Sequence, residues 1–153
     1  MLLKDEVEML RRVPLFSRIA PAKLKLLAFA SERMSCREGQ NLFRQGDTGD
    51  AAYVILSGTA DVLVSSEAGE IKVAELEKNS IVGEIAILCD MSRTATVQAT
   101  SKLEVLKISK ESFLELMNDF PDMAVEIMRV LANRLNHTTN ELTAARSRER
   151  VSY

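Results

Sequence analysis

The residues with the most chemical meaning lie together in VGEIAILCDMSRTATV, Val82–Val97. Gly83 permits a close backbone approach, and the EIAIL run after it can form one helical turn. The amides at the start of such a turn, Ile85 and Ala86 among them, lack intrahelical partners and point at an anion. Arg93 follows nine residues after Glu84, and a guanidinium binds a phosphate through two parallel hydrogen bonds. Thr94 adds a hydroxyl before the chain re-enters a strand at ATV. The Glu84 carboxylate is wrong for a phosphate but right for accepting a hydrogen bond from a sugar hydroxyl. These groups together suit a sugar phosphate that keeps one free hydroxyl. Taken alone, Glu84 and Arg93 read better as a loop salt bridge, worth little if exposed.

The elements around this stretch fall into three zones. From Met1 to about Ser31 the pattern is helical, with Val7, Leu10 and Val13, then Leu24, Leu27 and Ala28, at helical spacing. Pro21 suits the first turn of a second short helix. From about Arg33 to Ile108 the apolar runs are short and β-branched: Ala51–Leu56, Ala60–Val64, Ile71–Leu76, Ala95–Ala99 and Leu103–Ile108. Glycines cut between them, which predicts a β-sandwich or barrel. GDTGD, Gly46–Asp50, predicts a turn with two positive-φ glycines. Its two aspartates fall short of a calcium loop. EAG, Glu67–Gly69, reads as a hairpin tip. Tyr53 is expected in the core, and Cys89 is expected as a small packing residue.

Helix returns from residue 109, with Ser109 as an N-cap and Pro121 opening a second helix. That helix is expected to run about 25 residues, roughly 38 Å at about 1.5 Å per residue, with a frayed polar tail over 147–153. Ala124, Met128, Leu131, Leu135, Thr138, Leu142 and Ala145 alternate in steps of four and three, the seam of a left-handed coiled coil. Glu141 and Arg146 are placed to pair across a parallel dimer. Ile127 and Val130 lie off the seam and are available to pack on the barrel. His137 falls outside it, at the surface.

Composition narrows the function. The chain has 153 residues, 46% hydrophobic and 27% charged, enough for one domain with a real core. Twenty basic against twenty-two acidic residues give a net charge of −2, which argues against bulk electrostatic binding to nucleic acid or membrane. No apolar run spans a bilayer, and the acids in MLLKDEVEML do not suit a signal peptide. Two isolated cysteines, Cys36 and Cys89, disfavour a disulfide framework and predict a cytoplasmic setting. A single histidine excludes most multi-histidine metal sites. No nucleophile–base pair stands out, so an enzyme is not expected.

Val82–Val97 resembles the phosphate-binding cassette of cyclic nucleotide-binding domains, whose pattern is roughly F-G-E-(L/I/M)-A-L, a short variable run, then P-R-(S/T/A)-A-(S/T)-V. GQNLFRQGDTGDAAYVILSGTADV, Gly39–Val62, resembles the family's other glycine-spaced signature, and LFSRI, Leu15–Ile19, its N-terminal helical motif. The resemblance covers about Val13 to Ala145. It implies a mainly β fold: a double-stranded β-helix (jelly-roll) barrel over 33–108, N-terminal helices over 1–31, and C-terminal helices over 109–146 ending in a long dimer helix. It also implies the roles of the residues. Glu84 takes the ribose 2′-hydroxyl and Arg93 pairs with the cyclic phosphate. Backbone groups of Ile85, Ala86 and Ala95, with Thr94, complete the cradle, and Gly83 holds the turn. Val82 stands where phenylalanine is usual, a packing change. Ser92 stands where proline is common, which leaves the arginine's approach less rigid.

RLNHTTNEL, Arg134–Leu142, resembles the dimer helix of catabolite activator-type sensors. There a threonine–serine pair contacts adenine, and Thr138 and Thr139 sit at the matching places. The competing reading makes Thr138 a register residue and Thr139 a solvated one. Thr94 points the other way, because a hydroxyl there accepts from the guanine amino group in some cyclic GMP sites. The resemblance thus implies a stand-alone sensor with no cofactor beyond its ligand, cyclic AMP favoured over cyclic GMP. It would form a parallel homodimer and signal by shifting its last helix to an effector protein. The alternatives are a dimeric interaction module with a ligand-silent pocket, or a transcription-regulator sensor without its DNA reader. No DNA-binding domain is expected in the residues present.

Overall fold

The computed structural model describes residues 3–151, with side chains over 5–147. It divides into two units, with the boundary between Leu116 and Met117. The first opens with α1 (Leu3–Arg11), a 3₁₀ turn at Pro14–Phe16, and α2 (Pro21–Ala30), which carries proline in its first turn. Strands β1 (Glu32–Cys36), β2 (Asn41–Phe43), β3 (Ala51–Ser57), β4 (Ala60–Ser66), β5 (Gly69–Leu76) and β6 (Ile81–Val82) follow. Then come α3 (Glu84–Leu88), β7 (Thr96–Ala99), β8 (Leu103–Ser109), α4 (Lys110–Asp119) and α5 (Pro121–Val151).

The strands form two four-stranded antiparallel sheets, ordered β1-β8-β3-β6 and β2-β7-β4-β5. This is the expected jelly roll with flanking helices. Every residue of β3 from Ala51 to Leu56 is buried, because this strand is covered on both faces. Ala51, Tyr53 and Ile55 join Cys36, Ala60, Val97, Ala99, Leu103 and Val105 in the core. α1 packs against β3, and α2 against β8. Of the residues at helical spacing, Leu10, Val13, Leu24, Leu27 and Ala28 are buried and Val7 is half-buried; Phe16 is buried as well. β5 is an exposed edge, joined to β4 by a two-residue tip at Glu67–Ala68, with Ser66 opposite Gly69.

Three strands had no sequence signal. β1 is a polar edge strand, and β2 and β6 are too short to show a period. GDTGD departs from expectation at one glycine: Gly46 has φ +92, but Gly49 lies outside the left-handed region. Gly49 answers a different demand, since a Cβ there would sit 2.2 Å from the Ala86 Cβ and 3.1 Å from the Met91 carbonyl oxygen.

At the head of α4 the Ser112 amide donates to Ser109 Oγ at 3.2 Å, the predicted cap. α5 runs 31 residues, longer than the expected 25. The segment foreseen as a frayed tail continues the helix to Val151, because nothing after Pro121 is a helix breaker. Along α5, Met123 and Ile127 are buried and Val130 is half-buried. The seam residues Met128, Leu135 and Leu142 are 61%, 69% and 53% exposed, an apolar stripe of the kind a coiled-coil partner covers. His137 is exposed, and its Nε2 lies 3.0 Å from Glu141 Oε1 one turn on.

Candidate functional site

The stretch singled out by its chemistry folds into one compact constellation. β6 lays Val82 beside Tyr53 of β3. Val82 packs against the core, consistent with a packing change at that position. Gly83 turns the chain at φ +91 into the five residues of α3 and offers no side-chain cap. The amides at the head of α3 are therefore without intrahelical partners. α3 buries Glu84, Ala86 and Ile87. Cys89 does not pack inward as expected. It is exposed at the C-cap, where the short helix ends and the chain turns outward.

Arg93 is clamped through its backbone. Its amide donates to the Asp47 carbonyl at 2.8 Å, and its own carbonyl accepts from the Gly46 amide at 2.9 Å. The Asp47 side chain in turn accepts from the Arg44 amide at 3.0 Å, closing a tight turn over 44–47. A bridge between Thr48 and Ser92 pins the position that proline occupies in the family pattern. The arginine's approach is therefore fixed by pairing, not by a ring.

Arg93 as a residue is 3% exposed. Nη1 donates to the Gly83 carbonyl at 3.0 Å and Nη2 to the Ala51 carbonyl at 2.6 Å. Nε is buried with no hydrogen-bond partner. The guanidinium carbon lies 4.2 Å from the Phe43 ring centroid and 5.7 Å from that of Tyr53. Burial pulls the arginine's pKa down, and Tyr53, Asp50 and Asp47 act against that pull. The group stays charged, as guanidinium does at any ordinary pH. Gly83 is required here twice: its φ suits glycine, and a Cβ would stand 2.5 Å from Arg93 Nη1.

The structure therefore brings Gly83, Glu84, Ile85, Ala86 and Arg93 together, with Thr94 exposed and Ala95 half-buried immediately after. Thr138 and Thr139 belong to the second unit and are exposed on α5. Phe43, Tyr53 and the Ala51 carbonyl were not foreseen as part of the constellation. Tyr53 is buried in the core, as expected, but a ring set against a guanidinium leaves no mark on local periodicity.

Tyr53 also titrates with the fold. Burial pushes its phenol above the ordinary value, offset in part by the charges of Lys107 and Arg93. The folded chain favours the neutral form, so the contribution to stability is intact below the unfolded-state value, about 10. It is lost as pH rises through the higher folded value. Tyr53→Phe is expected to flatten the alkaline decline of stability, read as denaturation midpoints from about pH 8 to about pH 11. An unchanged decline would show that other groups carry it.

The class the fold defines is a small jelly-roll β domain, with a buried arginine beside the head of a short helix. Residues 33–120 match the model of the cyclic nucleotide-binding domain family, and the chain belongs to that family. It is 36% identical over 115 residues to a cAMP-dependent protein kinase regulatory subunit of Blastocladiella emersonii, covering 74% of this chain and 28% of that protein. It therefore spans less than a third of that relative's length. It is 30% identical over 144 residues to the cyclic AMP receptor protein of Thermus thermophilus, covering 92% of this chain and 67% of the relative. Among solved structures it is similar to the sensor domain of the transcriptional regulator DNR from Pseudomonas aeruginosa. The TM-score is 0.80 with 91% of this chain and 94% of that one covered, and at 23% identity the likeness is one of fold. No described helix is long and apolar enough to cross a membrane.

Proposed function

We propose that this chain binds a 3′,5′-cyclic nucleotide, with cyclic AMP favoured, and passes the signal through α5 to a protein partner. The observation that carries the reading is Arg93, a buried cation whose Nε has no hydrogen-bond partner. A buried guanidinium with a donor left over suits an anion, because a buried donor without an acceptor is costly. Arg93 pairs with the cyclic phosphate, while the amides of Ile85, Ala86 and Ala95 and the Thr94 hydroxyl complete the cradle. Glu84 accepts from the ribose 2′-hydroxyl, the one ribose hydroxyl that a 3′,5′-cyclic phosphate leaves free. Gly83 holds the turn.

The Glu84 role has its own test. Glu84→Gln is expected to weaken cyclic AMP binding about tenfold, since a charge-assisted hydrogen bond becomes a neutral one. The same variant should lose little further when 2′-deoxy cyclic AMP is the ligand. A full additional loss with the deoxy compound would show that Glu84 acts elsewhere.

The Thr138 and Thr139 hydroxyls contact the adenine, a role supported by the resemblance of their helix. Replacing both with alanine should erase any preference for cyclic AMP over cyclic GMP in a competition assay. The exposed stripe of Met128, Leu135 and Leu142 supports a parallel homodimer through α5. The same stripe is what a ligand-silent interaction module would show, so it does not separate the two readings; titration with nucleotide does. A shift of α5 on binding requires that the ligand prefer one helix position over the other.

A further inference from the structure

We infer that Phe43 is the positioning residue for the phosphate-binding arginine, an inference that rests on the cyclic nucleotide reading above. The guanidinium carbon of Arg93 stands 4.2 Å from the Phe43 ring centroid. Tyr53 braces that ring, with centroids 5.8 Å apart and planes tilted by 34°. Arg93 is 3% exposed, and the acids that act on its charge, Asp50 and Asp47, do so alongside Tyr53. The face of the Phe43 ring adds negative potential directly against the cation.

The choice of an aromatic partner matters for binding. A carboxylate at that place would neutralise the arginine and compete with an incoming phosphate for the same donors. The five donors of a guanidinium lie in its plane. A ring stacked on the face compensates charge without using any of them. The Gly83 and Ala51 carbonyls occupy part of the edge, and Nε is left over. Phe43 thus fixes the plane of the guanidinium, and the two carbonyls fix its rotation within that plane.

Local structure aims the ring. The pairing of β2 with β7 shifts register between Asn41 and Phe43, opposite Gln98 and Val97. A bulge of this kind re-aims the side chain beside it. The turn over 44–47 follows at once and grips the Arg93 backbone from both sides. One short segment, residues 43–47, therefore holds both ends of the same arginine.

The test has a ligand-free arm and a ligand arm, both on the full chain. In the first, the Arg93 Nε–H resonance is assigned by its loss in Arg93→Lys. It is expected upfield and slow to exchange, to move downfield in Phe43→Leu, and to stay near the wild-type position in Phe43→Tyr. A wild-type resonance at the random-coil position, in fast exchange, overturns the inference whether or not any variant folds. In the second arm, cyclic AMP titrations should show Phe43→Leu binding about tenfold more weakly and Phe43→Tyr restoring affinity, the scale of a desolvated cation–π contact. Equal affinity for Phe43→Leu and wild type overturns it too. If wild type binds neither cyclic AMP nor cyclic GMP while the resonance behaves as expected, the nucleotide reading fails and the aromatic seat stands as a structural device only.

Discussion

Arg93→Ala is expected to weaken cyclic nucleotide binding by about 3 kcal/mol or more, roughly a hundredfold in Kd. The magnitude follows from burial. A phosphate held by this group is screened poorly by solvent, so loss of its charge partner leaves an anion with backbone donors alone. Stability should respond far less. Asp50 and Asp47 lose a favourable charge, but removal of the guanidinium relieves the desolvation that already depresses its pKa. The carbonyls of Gly83 and Ala51 lose a donor each, which offsets part of that relief. Arg93→Lys should fall between, because a point charge cannot match the planar fork. Calorimetric titration alongside thermal unfolding checks both halves. A variant that binds as tightly as wild type, or one that loses stability in step with affinity, would contradict the assignment.

Gly49→Ala is expected to cost the fold about 2 kcal/mol, in the range for overpacking a tight contact. The new methyl would lie 2.2 Å from the Ala86 Cβ and 3.1 Å from the Met91 carbonyl oxygen. Ala86 is 4% exposed and has no flexible end to move, so α3 must shift away from the turn that holds Arg93. Binding should weaken together with stability, unlike the Arg93→Ala pattern. Urea denaturation measures the first effect and titration the second. An unchanged denaturation midpoint would mean that the turn and α3 are not packed as described.

The contrast between these two variants shows what was legible in the sequence. Arg93 and Glu84 stood out by residue type, but alone they read as a loop salt bridge, and the ligand reading came from the two family motifs around them. A β-sandwich or barrel was legible from Ala51–Leu56, an apolar run buried throughout, and from Leu103–Ile108, where Glu104 and Lys107 fall at the half-buried positions; the jelly roll was implied by the family resemblance. Residues 32–36 carry no such pattern, since an edge strand owes its place to pairing with β8 and not to its own side chains. Gly49 was recognised as special for the wrong reason. A close approach and a positive φ both demand glycine, and only tertiary contact distinguishes them. The Phe43 seat was invisible for the same cause: Phe43 and Arg93 lie fifty residues apart in the chain and meet only because β2 pairs with β7. At the end of α5 the polar residues predict fraying, yet helix propensity carries the helix to Val151.

Calorimetric titration of the chain with cyclic AMP and, in parallel, cyclic GMP asks whether the Arg93 constellation receives a cyclic nucleotide. Saturable binding near one site per chain is expected, tighter for cyclic AMP and lost in Arg93→Ala. Absence of heat with both ligands, together with no competition by either against a labelled cyclic nucleotide, would contradict it.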